Sequence, residues 1–232
     1  MPALIECHSL TKKYGSKLAL NNVNLSIERG RIVGLLGPNA SGKTTLIKLI
    51  NGLIQPSQGE ILINGQEPGI ESKLNISYLP DACFLPEWMK VRGLFNYYSD
   101  FYSNFNLRKA YDMLERLNLN DSMKLKSMSK GTKEKIQLIL TMSREADLYC
   151  LDEPIGGVDP ASRDYILDTI IGNYNENSTI LISTHLITDI EKILDEVVFI
   201  NNGCMYLHKS VDDIRMEHNN SVDGFFREVF RC

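Results

Sequence analysis

Residues 31–36 read RIVGLL and residues 37–44 read GPNASGKT, and helical apolar spacing follows from Lys43 to Asn51. A short apolar strand, a glycine loop and a helix in that order fit the G-x-x-x-x-G-K-[ST] pattern in the context it requires. The glycines let successive backbone N–H groups turn inward toward phosphate oxygens, and the helix that follows adds its positive end. In this reading Lys43 reaches the β and γ phosphates of a nucleotide, and Thr44 places its hydroxyl on Mg²⁺. A glycine turn before a helix with an exposed lysine is the bland alternative, and the strand before it weighs against it.

Outward from this loop, Leu148–Leu151 (LYCL), Thr179–Ser183 (TILIS) and Val197–Ile200 (VVFI) repeat the unbroken apolar pattern. Such runs suit strands buried on both faces of a largely parallel sheet. Pro160 to Ile171 and Leu186 to Leu194 have helical spacing, as crossover helices should. Leu18 to Ile27 and Glu60 to Ile63 alternate more like antiparallel strands, so the fold class is α/β with a mixed sheet core. From Pro86 to Arg144 the pattern is helical, an insert within the α/β body. Its first helix is expected over Val91 to Phe105, with six aromatic residues (Phe95, Tyr97, Tyr98, Phe101, Tyr102, Phe105). Core packing accounts for most of them, and a groove that receives a partner accounts for the surplus.

The apolar run before Asp152 and Glu153 delivers both carboxylates to the C-terminal end of a strand, where open α/β sheets bind ligands. Asp152 is the candidate for the metal side, through water, and Glu153 the candidate general base. Ser183-Thr184-His185 ends another strand, and His185 is expected to sense the γ phosphate and the attacking water. A satisfied strand-end histidine has the same appearance in isolation.

With these in order, the sequence resembles the ATP-binding subunits of ABC transporters over nearly its whole length. Met128-Ser129-Lys130-Gly131-Thr132 occupies the place of the family signature LSGGQ, and DEPIGGVDP follows at 152–160. The resemblance implies a P-loop NTPase of ABC type with an N-terminal antiparallel β subdomain and a helical insert. It divides one domain, 1–232, into an α/β core (1–80 and 146–208), a helical subdomain (81–145) and a C-terminal helical tail (209–232). It implies ATP and Mg²⁺ as ligands, held by Gly37, Pro38, Asn39, Ala40, Ser41, Gly42, Lys43, Thr44 and Thr45, with Tyr14 stacked on adenine. It places Thr44, Asp81 and Asp152 at the metal, and Glu153 and His185 at the chemistry. It sets Ser129, Lys130, Gly131 and Thr132 against the ATP of a partner subunit, with Asp159 in an inter-subunit loop.

Several positions depart from the family pattern. Ala40 stands where many members have glycine, which a negative φ would tolerate. Lys130 replaces a signature glycine, with its cation either near the second ATP or in solvent. Thr132 replaces glutamine, and Asp81 replaces the usual glutamine with a shorter, charged side chain.

The resemblance further implies a homodimer or heterodimer and an integral membrane permease as partner. The expected location is cytoplasmic, peripheral on the cytoplasmic face of the cell membrane. The SKGT form of the signature is similar to bacterial exporter cassettes for drugs, antibiotics or peptides. A soluble ABC-type ATPase acting on nucleic acid or ribosomes is the rival, and an unrelated P-loop kinase the third reading. The formal charge of −4 over 232 residues gives no nucleic-acid signal, and no basic stripe with interleaved aromatics appears. That near-balance hides segregation. Residues 1–52 carry seven Lys or Arg against two acids, 123–144 six against one, and 145–200 twelve acids against two bases. Five scattered cysteines without a CxxC pair point to a reducing compartment, and the opening MPALIECHSLTKKYG lacks the apolar region of a signal peptide.

Overall fold

The computed structural model describes residues 3–230, so Cys232 lies outside the described residues. The chain begins with a long hairpin of β1 (Ile5–Tyr14) and β2 (Lys17–Ile27), then enters β3 (Ile32–Leu36), the glycine loop and α1 (Lys43–Ile50). β4 (Gln58–Ile63) returns to pair with β1, and α2 (Ile70–Asn75) leads into β5 (Ile76–Leu79). Three helices form the insert: α3 (Val91–Phe101), α4 (Leu107–Arg116) and α5 (Lys130–Met142). β6 (Leu148–Asp152), α6 (Pro160–Asn173), β7 (Thr179–Thr184), α7 (Ile187–Ile190) and β8 (Glu196–Asn201) rebuild the α/β body. β9 (Cys204–Ser210), α8 (Val211–His218) and α9 (Val222–Phe230) follow.

The strands form an antiparallel sheet in the order β2-β1-β4 and a six-stranded sheet in the order β5-β6-β7-β3-β8-β9. Among the described residues, β9 alone in the larger sheet is antiparallel to its neighbour. The unbroken apolar runs have a direct cause. Val33, Leu35, Leu148, Cys150, Leu181, Val198 and Ile200 join one core with α1 and the antiparallel sheet. The alternate residues, Ile32, Leu36, Tyr149, Leu151, Ile180, Ile182, Val197 and Phe199, join the other core with the helical insert and the C-terminal helices. Both faces are covered, so neither set of side chains is free to be polar.

The insert is tied to the body at Arg144. Its guanidinium donates to the carbonyl oxygens of Ile76 and Leu74 (2.6 Å each) and lies 3.9 Å from the Tyr102 ring centroid. Only 5% of Arg144 is exposed, so one cation of the basic 123–144 segment serves the fold and not a phosphate. Lys133 of the same segment pairs with Glu87 at 2.6 Å.

Two helices are shorter than their spacing predicts. α3 stops at Phe101, because Asn106 accepts from the Lys109 N–H to cap α4 while Phe105 pairs with Arg144 in an isolated bridge. Phe95 and Phe105 are core, whereas Tyr97 and Phe101 are exposed and stacked on each other at 5.8 Å. The 186–194 segment holds one α turn and a 3₁₀ turn, since Asp195 must reach Ile32 to start β8 beside β3.

Candidate phosphate site

The parallel register puts the ends of β3, β5, β6 and β7 along one sheet edge, with Asp152 opposite Ser183 and Leu79 opposite Leu151. A cleft of about 400 Å³ opens there, lined by Tyr14, Lys17, Ala19, Asn39 to Thr45, Asp81 and Glu153. The glycine loop cannot carry side chains at its ends. A Cβ on Gly37 would stand 2.1 Å from the Ile200 carbonyl oxygen, and Gly42 has φ +116 beside Ala19 O. α1 starts at Lys43 with no side-chain cap and no acidic residue in its first turn, which leaves its N–H groups free for an anion.

Ala40 corrects the expectation of a negative φ. Its φ is +62, a left-handed conformation that costs a residue with a Cβ roughly 1–2 kcal/mol. Ala40→Gly is therefore expected to stabilise the nucleotide-free protein by about 0.5–1 kcal/mol after the entropy of the unfolded chain is counted, raising Tm by about 2 °C. An unchanged or lower Tm in a thermal scan refutes this.

Lys43 is 6% exposed, and its Nζ donates to the carbonyl oxygens of Gly37 (2.8 Å) and Pro38 (3.2 Å). It stands 3.7 Å from Glu153 Oε1. Burial lowers the lysine pKa, and the charges of Glu153 and Asp152 oppose that shift. Beneath it, Asp152 is fully buried and its Oδ1 accepts from Ser183 Oγ (2.5 Å) and Thr44 Oγ1 (3.3 Å). Burial raises the Asp152 pKa against those two hydrogen bonds, and the charges of Asp81 and Glu153 raise it further. Among the described residues Asp152 Oδ2 is buried with no hydrogen-bond partner.

Glu153 leaves the strand at φ +51, which turns its carboxylate back over the cleft. Its N–H donates to Ser183 O (2.9 Å) and Ser183 Oγ (3.1 Å), and its Oε2 lies 3.0 Å from His185 Nδ1. Ser183 thus positions both carboxylates, donating its hydroxyl to one and accepting from the backbone of the other. The sequence reading singles out His185 and misses this role. The available signal was a serine ending an apolar run level with Asp152. Lys17 and Ala19 also line the cleft without having been anticipated.

Ser129, Lys130, Gly131 and Thr132 do not line this cleft. Ser129 caps α5, its Oγ accepting from Thr132 N (3.2 Å) and lying 2.8 Å from Thr132 Oγ1. Lys130 Nζ is 3.7 Å from Glu134 Oε1, and a Cβ on Gly131 would meet nothing within 4 Å. Asp159 caps α6 through Ser162, and those hydrogen bonds lower its pKa.

A glycine loop holding a lysine over a strand-end Asp-Glu pair, with a histidine on the glutamate, defines a P-loop nucleoside triphosphatase. The chain belongs to the ABC transporter family, whose profile matches residues 20–156, and is an ATP-binding, ATP-hydrolysing subunit. It is 30% identical over 229 residues to YtrB, an ABC transporter ATP-binding protein of Bacillus subtilis (strain 168), covering 97% of this chain and 78% of YtrB. It is 27% identical over 213 residues to SrtF, a lantibiotic transport ATP-binding protein of Streptococcus pyogenes, covering 90% of this chain and 92% of SrtF. A solved structure of an ABC transporter ATP-binding subunit superposes with a TM-score of 0.88 at 29% identity, covering 98% of this chain and 99% of that one.

Proposed function

We propose that this subunit works as a head-to-tail pair on the cytoplasmic face of a membrane, driving export of a drug, antibiotic or peptide through a separate permease. One observation carries the paired arrangement. The cleft gathers the loop, Asp81 and Glu153, while the capped end of α5 at Ser129–Gly131 stays outside it and open. Two copies related by a two-fold axis would bring each open end to the other's cleft. The similarity to SrtF, a lantibiotic transport ATP-binding protein, supports a peptide antibiotic as cargo.

The residues fit Mg²⁺: Asp152 Oδ2 is a buried carboxylate oxygen without a hydrogen-bond partner among the described residues, and the other oxygen of the same carboxylate meets the Thr44 hydroxyl. Thr44 and Asp152 would hold the ion, with Asp81 at the same cleft, and when bound it supplies positive charge to the β and γ phosphates. Lys43 and the α1 N-terminus hold the triphosphate. Glu153 accepts the proton of the attacking water, and His185 orients that carboxylate.

No described helix is long and apolar enough to cross a membrane. An apolar groove of about 500 Å³, with Leu53, Phe84, Tyr98 and Tyr102 on its walls, supports docking of the permease there. Light scattering tests the pairing. Glu153→Gln with Mg-ATP should run as a dimer, and adding Ser129→Arg should return it to monomers that still bind ATP. Dimers that survive Ser129→Arg would overturn the arrangement. Asp81→Ala is expected to impair stimulation of ATPase by the permease more than ATP affinity. Equal losses in nucleotide titration and turnover would remove that role.

A further inference from the structure

α5 carries a glutamine where its neighbours are apolar. Ile136, Leu138, Ile139 and Leu140 are buried, and so is Gln137, at 3% exposure. A buried amide costs free energy unless it is hydrogen-bonded, and a methionine would fill the same volume without that cost. The Gln137 amide nitrogen donates to Pro80 O (3.3 Å) and Ala82 O (3.4 Å), the two carbonyls on either side of Asp81. Its Oε1 is buried and makes no hydrogen bond among the described residues. Gln137 also lines a small cavity of about 30 Å³, with Asp81, Cys83, Glu134 and Glu153, that has room for one water molecule.

A second tie lies one helical turn further along. Ser77 Oγ, on β5, donates to Thr141 O of α5 at 2.7 Å, and Thr141 Oγ1 donates back to Gln137 O at 3.0 Å. The run from Ser77 to Ala82 is thereby fixed to α5 at both ends, with Asp81 between the two carbonyls that Gln137 holds. Gln137 is eight residues beyond Ser129 on one continuous helix, roughly 12 Å along its axis.

We infer that Gln137 is a positioning residue for Asp81: its amide, held on α5, sets where the Asp81 carboxylate stands against Glu153. The inference rests on the proposed role of Asp81 at the metal. It adds a residue that touches neither nucleotide nor ion and acts through the backbone on both sides of Asp81.

The test compares the full chain with Gln137→Met, Asp81→Ala and the double variant, reading ATP turnover, ATP KM, the Mg²⁺ concentration at half activity, and Tm. Gln137→Met should lower turnover by about tenfold and raise the half-saturating Mg²⁺ several-fold, with ATP KM within about twofold of wild type. In the Asp81→Ala background the same substitution should change turnover less than about twofold, because its target is gone. Independent, multiplying losses overturn the inference and leave the role of Asp81 standing. A lowered Tm with wild-type turnover and Mg²⁺ dependence also overturns it, since a purely structural amide gives that result. If Asp81→Ala alone changes neither turnover nor Mg²⁺ dependence, the role of Asp81 fails first and the inference falls with it.

Discussion

Replacing Glu153 with glutamine will cut ATP turnover by at least ~10²-fold while Mg-ATP still binds. The substitution keeps the shape and length of the side chain, so the contact with His185 Nδ1, 3.0 Å from Oε2 in the wild type, can persist through the amide oxygen. What disappears is the capacity to accept a proton. The backbone that aims this side chain is set independently of the carboxylate, by the N–H bonds to Ser183 and by φ +51. Such a conformation in a residue with a Cβ costs about 1–2 kcal/mol and persists because the two adjoining strands fix it. A glutamine therefore inherits the same direction. Phosphate release under saturating Mg-ATP reads the chemistry, and nucleotide-induced dimerisation reads whether binding survives. Turnover within a few-fold of wild type would mean that another group takes the proton.

How much of this was legible in the sequence follows from the range of each interaction. The glycine loop is local: strand, turn and helix lie within twenty residues, and their spacing states the phosphate site directly. The double-faced burial of β3, β6, β7 and β8 is legible for the same reason, since each run reports its own environment. Ala40 was not legible, because a left-handed φ at a residue with a Cβ is imposed by the loop as a whole. Ser183 and Gln137 were hidden for a different reason. The first acts on Asp152, 31 positions away, and the second on Pro80 and Ala82, 57 and 55 positions away. Only the strand register and the docking of α5 bring those partners together. Leu186–Leu194 misled because an apolar helical spacing says nothing about how soon the chain must return to the sheet.

Lys43→Met should weaken nucleotide binding by up to about a hundredfold at a modest cost to the nucleotide-free fold. In the nucleotide-free cleft two effects oppose each other. The methionine removes a desolvated ammonium whose burial lowers its pKa, and it also leaves the Gly37 and Pro38 carbonyls and Glu153 without their cation. Glu153 keeps His185 beside it, so the partial offset leaves a loss of about 1–3 kcal/mol for the unpaired carbonyls. With ATP present nothing cancels. Charge-assisted bonds from an ammonium to phosphate contribute about 1.5–3 kcal/mol, which at the upper end is a hundredfold in Kd. At an ATP concentration a hundred times the wild-type Kd, binding stabilises the wild type by about 2.7 kcal/mol, and a variant with a hundredfold weaker Kd by only about 0.4 kcal/mol. For a domain of this size those values correspond to nucleotide-induced Tm shifts of about 5–10 °C and about 1 °C. The paired scans, with and without nucleotide, separate a phosphate ligand from a structural lysine. A large fall in Tm without nucleotide, together with a preserved shift on adding it, would assign Lys43 to the fold and not to the phosphates.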